Sequence, residues 1–194
     1  MMLVVFGGSF NPPTIAHYQI ASHILKQLDC EQFFFLPVGD QYPKKGLISS
    51  FHRVKMLNLI CHHLNKADVL TLEVEAERVL TSFESLTRLQ QRYPHQEIAF
   101  VIGADNLEDL PHWVQYEQLI EHFKLIVFRR DDIKVDEIIE NQFKQYEHRF
   151  IVLDSFGKMD VSSTKYRENL DCSDLVLECV DSYVKQHQLY GRGE

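Results

Sequence analysis

A hydroxyl and an imidazole three residues apart, Thr14 and His17, close a stretch that opens on a glycine pair, Gly7-Gly8, and passes through Pro12-Pro13. If a helix begins near Pro13, both side chains lie on its first turn and project toward one anion. Free amides at the glycine turn, with the positive helix end, make a site for phosphate. Near the other end of the chain, Ser162-Ser163-Thr164 put three hydroxyls at a helix start, and Arg167 follows one turn later. A plain N-cap uses one of these hydroxyls, not all three; beside a helix N-terminus and a guanidinium fork they suit a second anion contact. Lys44 and Lys45 share a loop where two ammonium groups can neutralise a polyphosphate or simply meet solvent. Asp105, two residues after Gly103 at a strand end, suits ribose hydroxyls or a helix N-cap. Trp113, the only tryptophan, and Phe83 are flat surfaces for a heterocycle, or core.

These residues must be positioned by regular elements. Apolar runs at 2–6, 33–38, 68–74, 97–102, 124–128 and 150–153 read as strands, and 2–6 carries no charge, as in a central strand covered on both faces. Helical spacing appears from His17 through Ile20, Ile24 and Leu28, and at 50–64, 81–93, 135–146, 162–170 and 173–187. A further helical stretch runs from 106 to 122 with a break at Pro111. The alternation predicts an α/β fold: a Rossmann-like, doubly wound, mainly parallel sheet with helices on both faces. No repeat or linker divides it, so residues 1–194 read as one domain, with 162–190 as closing helices. Four polar clusters follow directly on strands, at 7–17, 39–45, 103–105 and 155–167. Ligands of such sheets bind beyond the strands' carboxyl ends, so one shared cleft would collect all four.

Composition removes other classes. With 194 residues and a formal net charge of -8, the chain is an ordinary-sized acidic protein and not a broad nucleic-acid binder. No apolar run is long enough to span a bilayer, and no export signal is read. The four cysteines form no CxxC pair, which suits free thiols and a cytoplasmic location. The ten histidines make no metal motif: His62 and His63 are adjacent and face different ways. A Walker loop and a GxSxG elbow are absent. A homo-oligomer is compatible with all of this.

The stretch Gly7-Gly8-Ser9-Phe10-Asn11-Pro12-Pro13-Thr14-Ile15-Ala16-His17 resembles the GxFxPx(H/T)xxH signature of the nucleotidyltransferase superfamily, and Ser162-Ser163-Thr164-Lys165-Tyr166-Arg167 its SSTxxR signature. Between them, residues 37–47 with His52-Arg53-Val54-Lys55-Met56, then Phe83-Glu84-Ser85-Leu86, Ile102-Gly103-Ala104-Asp105-Asn106-Leu107 and Trp113 are similar to the nicotinamide/nicotinate mononucleotide adenylyltransferases. The resemblance implies a Rossmann-like fold and transfer of the adenylyl group of ATP to a pyridine mononucleotide, giving a dinucleotide of NAD biosynthesis and pyrophosphate. It implies that His17 and Thr14 contact the ATP phosphates, and that the backbone of Gly8, Ser9 and Phe10 lines phosphates and mononucleotide. Lys45, or Lys44, would neutralise phosphate charge. Ser162, Ser163, Thr164 and Arg167 would hold pyrophosphate; Gly103 and Asp105, the adenosine ribose; Trp113 and Phe83, the pyridine ring. Mg²⁺ is expected as the companion of ATP, with no protein metal site. Thr14 and Ala16 depart from the bacterial HxGH form, Tyr42-Pro43-Lys44-Lys45 from its PPHK loop, and Phe83 stands where a tryptophan is usual. The acid and amide substrates are not distinguished. Other readings are a pantetheine-phosphate adenylyltransferase, a cytidylyltransferase, or a non-catalytic nucleotide-binding regulator.

Overall fold

The structure is a computed structural model and describes residues 2–129, 133–154, 161–169 and 172–191. The charge-free first run forms β1 (Met2–Gly8), and its neighbours on either side are β2 (Cys30–Pro37) and β4 (Glu97–Ile102). With β3 (Ala67–Val69), β5 (Lys124–Phe128) and β6 (Phe150–Leu153) they make one six-stranded sheet in the order β3-β2-β1-β4-β5-β6. Every pairing is parallel, as the alternation with helices predicts.

Side chains alternate between two cores because the strand period is two. Leu3, Val5, Phe34, Ile98, Phe100, Leu125 and Val127 fill one, with α3 (Ser82–Arg92), α4 (Ala104–Asp109), α5 (Tyr116–His122) and α6 (Val135–Gln142) packed over them. Val4, Phe33, Phe35, Ala99, Val101 and Ile126 fill the other, covered by α1 (Ile15–Gln27), α2 (Ser50–Cys61), α7 (Ser163–Glu168) and α8 (Glu178–Gln186). Helices after β1 and β4 therefore go to opposite faces. The sheet's topological switch point lies between these two strands.

Several elements are shorter than the sequence predicts. The third strand stops at Val69 instead of 74. It is an edge strand paired only with Phe33, Phe34 and Phe35, and Glu75 N–H bonds back to Thr71 O at 2.9 Å, turning the chain while Leu70 and Leu72 still bury. The helix expected over 135–146 ends at Gln142, because Phe143 leaves helical geometry to bury against Phe150, and Lys144–Arg149 forms a 3-10 turn. The one expected over 173–187 splits into a 3-10 turn, Ser173–Leu175, and α8, separated by buried, extended Val176. The stretch from 106 to 122 begins earlier, at Ala104, and breaks twice: at Leu110–His112 and at left-handed Gln115, φ 61°. α2 ends at Cys61 rather than 64, and α7 at Glu168; the expected helix end at Leu170 and the polar residues at 155–160 lie outside the described residues.

α7 is a short helix held by one buried side chain. Tyr166 is fully buried, and its hydroxyl donates to Asp181 Oδ1 of α8 at 2.8 Å. Replacing Tyr166 with Phe leaves that carboxylate short of a donor in a dry site, so Tyr166→Phe is expected to cost about 1–3 kcal/mol in urea unfolding. An unchanged midpoint would show that the hydrogen bond does not hold α7.

Candidate active site at the switch point

β1 and β4 end side by side, and the chain that leaves β1 wraps into a turn before α1. The turn's backbone explains its chemistry. Its carbonyl oxygens would repel an anion, and four of them are tied to donors. Val38 N–H bonds Gly8 O at 3.1 Å, Arg53 Nη1 bonds Ser9 O at 3.2 Å, Arg167 Nη1 bonds Asn11 O at 2.7 Å, and Ser163 Oγ bonds Pro12 O at 2.8 Å. Gly7 is required here: a Cβ would sit 2.9 Å from the Phe100 ring. The Asn11 side chain, itself buried, fixes the rest. Its Nδ2 donates to Gly46 O at 2.9 Å, and its Oδ1 accepts from Ile48 N–H at 3.3 Å and from the Tyr190 hydroxyl at 2.9 Å. Four segments distant in sequence thus converge on one turn.

α1 opens with Thr14 as N-cap, one turn before His17. The Thr14 N–H donates to His17 Nδ1 at 2.8 Å, and Thr14 Oγ1 lies 2.7 Å from the same nitrogen. Accepting there leaves Nδ1 without a proton, so the ring's proton sits on Nε2 and makes that atom the donor. Thr14 and His17 do not point at an anion in parallel; the threonine orients the histidine. Burial beside the Phe6 and Phe10 rings, and then the charge of Lys44, hold the imidazole down to about 4. His17 is therefore a neutral N–H donor at neutral pH.

Lys44 Nζ donates to Ser9 Oγ at 2.8 Å. Its pKa is lowered by burial and then by the nearby guanidinium groups of Arg167 and Arg53. Arg167 spans Asn11 O and Thr164 Oγ1, the latter at 3.2 Å. Arg53 is completely buried; besides Ser9 O it holds Ile48 O at 2.9 Å and Asp40 Oδ1 at 3.1 Å. Burial would raise Asp40, but donors from Ser50 and Arg53 outweigh it and lower its pKa. The other cations of the cluster keep charge to spare for a polyanion.

The remaining sequence-derived residues differ in where they lie. Gly8, Ser9, Lys44 and Trp113 line one cleft of about 690 Å³, with Thr81, Ser82 and Glu73. Ser162 caps α7 by accepting from Lys165 N–H, Ser163 is committed to Pro12, and Thr164 to Arg167, so these hydroxyls brace the turn. Gly103 is the N-cap of α4, and Asp105 folds its carboxylate over the Gly103 Cα, where any side chain would collide. The structure does not bring Lys45 or Phe83 to the cleft. Of the two lysines between which the sequence did not choose, Lys45 is exposed and makes no hydrogen bond among the described residues, because the loop's path gives Ser9 to its neighbour. Phe83 turns toward α5 and packs on His122 and Phe123, since the register of α3 offers Thr81 and Ser82 to the cleft instead. For Phe10 the expectation concerned the backbone alone; its ring is buried beneath His17, 5.1 Å between centroids. Sequence reading missed Arg53, Asn11, Tyr190 and Glu73. Arg53 carried a signal, as a cation one turn into a helix after the basic loop; Tyr190 carried none.

A parallel sheet with a tied-off anion turn at its switch point defines a nucleotide-transfer scaffold, and comparison with known proteins agrees. The cytidylyltransferase-like family model matches residues 5–169, and the chain belongs to that family. Its relatives include the probable nicotinate-nucleotide adenylyltransferase of Acholeplasma laidlawii, 32% identical over 97% of each chain, and the nicotinate-nucleotide adenylyltransferase of Bacillus subtilis, 30% identical over 96% of each. The Plasmodium falciparum nicotinic acid mononucleotide adenylyltransferase complexed with NaAD shares the fold at a TM-score of 0.83, with 20% identity and 98% of both chains covered.

The His17 assignment sets a pH dependence. A folded-state pKa of about 4, below the ordinary 6.5, favours the neutral ring in the native state. Its contribution to stability is complete above about pH 6.5 and is lost as pH falls toward the folded value. In NMR titration the His17 ring is expected to stay neutral through pH 6. Lys44→Ala is expected to raise its midpoint only in part, since burial is the larger cause. An ordinary midpoint in the unaltered protein would show that burial does not hold the ring neutral.

Proposed function

We propose that the protein is an adenylyltransferase that joins a pyridine mononucleotide to the AMP moiety of ATP, forming deamido-NAD or NAD and releasing pyrophosphate. The observation that carries this reading is the meeting of His17, Lys44 and Arg167 on one turn, four of whose carbonyls are tied to donors. The names of its full-length relatives support nicotinate mononucleotide as the substrate. The enzyme would act in the cytoplasm; no helix among the described residues is long and apolar enough to cross a membrane.

The reaction needs alignment and charge compensation more than covalent chemistry. An oxygen of the mononucleotide phosphate forms a bond to the α-phosphorus of ATP. The bond from that phosphorus to the bridging oxygen of the β-phosphate breaks, and pyrophosphate leaves with the electron pair. No side chain need remove a proton. His17 Nε2–H donates to the α-phosphoryl oxygens, where its help grows as negative charge shifts toward the leaving group. Lys44 offsets repulsion between the two polyanions. Arg167 holds pyrophosphate with its remaining N–H groups, and Thr164 sits beside it. Trp113 offers a face to the pyridine ring in the cleft. Gly103 and Asp105 serve the adenosine ribose. Among the described residues no three His, Cys, Asp or Glu side chains converge on an ion site. A Mg²⁺ ion accompanying ATP would be held by phosphate oxygens and water, where it would neutralise phosphate charge.

Purified protein with Mg-ATP and nicotinate mononucleotide is expected to release pyrophosphate and form the dinucleotide, both measurable by chromatography. His17→Ala should lower kcat roughly 10²–10³-fold with a much smaller change in ATP affinity. A fully active His17→Ala protein would remove the residue from the mechanism.

A further inference from the structure

Glu73 lies in the turn after β3 and lines the same cleft as Trp113, Thr81 and Ser82. The hydroxyl of buried Ser85 donates to its Oε1 at 2.7 Å, fixing the carboxyl in place. Its Oε2 has no hydrogen-bond partner among the described residues. The other acid on the cleft wall, Asp109, pairs with His112 at 3.2 Å. The cleft's lysine is engaged with Ser9, and Arg78 nearby forks onto Glu84. Glu73 is therefore a held carboxyl with one oxygen unpartnered among the described residues and no cation, in the cleft that Trp113 also lines.

Building on the proposed adenylyl transfer, we infer that Glu73 reads the ring substituent of the mononucleotide and sets the preference between its acid and amide forms. A carboxamide N–H can donate to ionised Oε2 in a charge-assisted hydrogen bond. A ring carboxylate at the same place meets a like charge, and the pair is tolerated only when one proton is shared. Burial raises the Glu73 carboxyl to about 7, against a smaller lowering by Ser85, so both states of Glu73 are populated near neutrality. The acid is then favoured below neutral pH and the amide above it. The other groups facing Glu73 and the cleft are Ser85 on α3, Tyr42 and Lys44 on the loop after β2, Arg78 on its own segment, and Asp109 on α4. None of the charged ones is a resolved cause of the Glu73 shift.

The test is kcat/KM for nicotinate and nicotinamide mononucleotides from about pH 6 to about pH 9. The ratio cancels groups common to both reactions, including His17, Lys44, ATP and the mononucleotide phosphate. In the unaltered protein the acid-to-amide ratio is expected to fall as pH rises, approaching about tenfold per pH unit above the Glu73 titration. In Glu73→Gln the ratio should be flat and, at high pH, shifted toward the acid. Ser85→Ala removes the bond that favours the ionised form, so it should move the fall to higher pH. A flat ratio in the unaltered protein, or the same slope in Glu73→Gln, overturns the assignment while leaving the transfer reaction standing. Failure of both mononucleotides to react overturns the transfer reaction and the role of Glu73 with it.

Discussion

The structure depends on a set of hydrogen bonds that remove carbonyl oxygens from the turn after the first strand. A phosphate site built on backbone must offer amides and hide carbonyls, because the two carry opposite partial charge. In this chain the oxygens of Gly8, Ser9, Asn11 and Pro12 are each claimed by a donor from elsewhere: Val38, Arg53, Arg167 and Ser163. The serine-threonine run at the start of α7 is part of this clamp. Its anion-binding value and its bracing of the turn come from the same few atoms.

Charge follows from that clamp. The molecule is acidic overall, yet Lys44, Arg53 and Arg167 are drawn to one turn, close enough that each guanidinium lowers the lysine's pKa. Only Arg53 has a carboxylate partner on the described surface of the site, Asp40. Holding like charges together opposes folding, and a bound polyphosphate relieves it. His17 stays neutral beside these cations, so it adds a directed N–H without adding to the repulsion.

The chemical residue types and the sheet were legible without coordinates. The charge-free first run with its glycine pair marked the central strand, and β-α alternation marked the doubly wound architecture seen in the strand order. Thr14, His17, Lys44, Gly8, Trp113 and Arg167 were candidates from type and spacing, and Ser9 from the family resemblance. One reading failed, that of Phe83, and two matters of direction were left for the structure to decide. Lys44 rather than Lys45 reaches the turn, Phe83 faces α5, and the ring of Phe10 is core. Adjacent residues on a loop, or on a helix start, differ in sequence by one place and in space by most of a half-turn, and nothing local chooses between them.

What the sequence determined by itself is short-range: strand and helix periodicity, the turn that glycine and proline impose, and the presence of groups able to meet phosphate. Tertiary structure decided which partner each group finds. Asn11 is an unremarked position in the turn, yet it joins Gly46, Ile48 and Tyr190, the last 179 residues away. Glu73 is one of several acids in its segment until folding buries it against Ser85 in the cleft and leaves one oxygen unpartnered among the described residues. The physical reason is that periodicity arises from the backbone of each segment alone. Hydrogen-bond pairing and desolvation arise only when separate segments exclude water from one another.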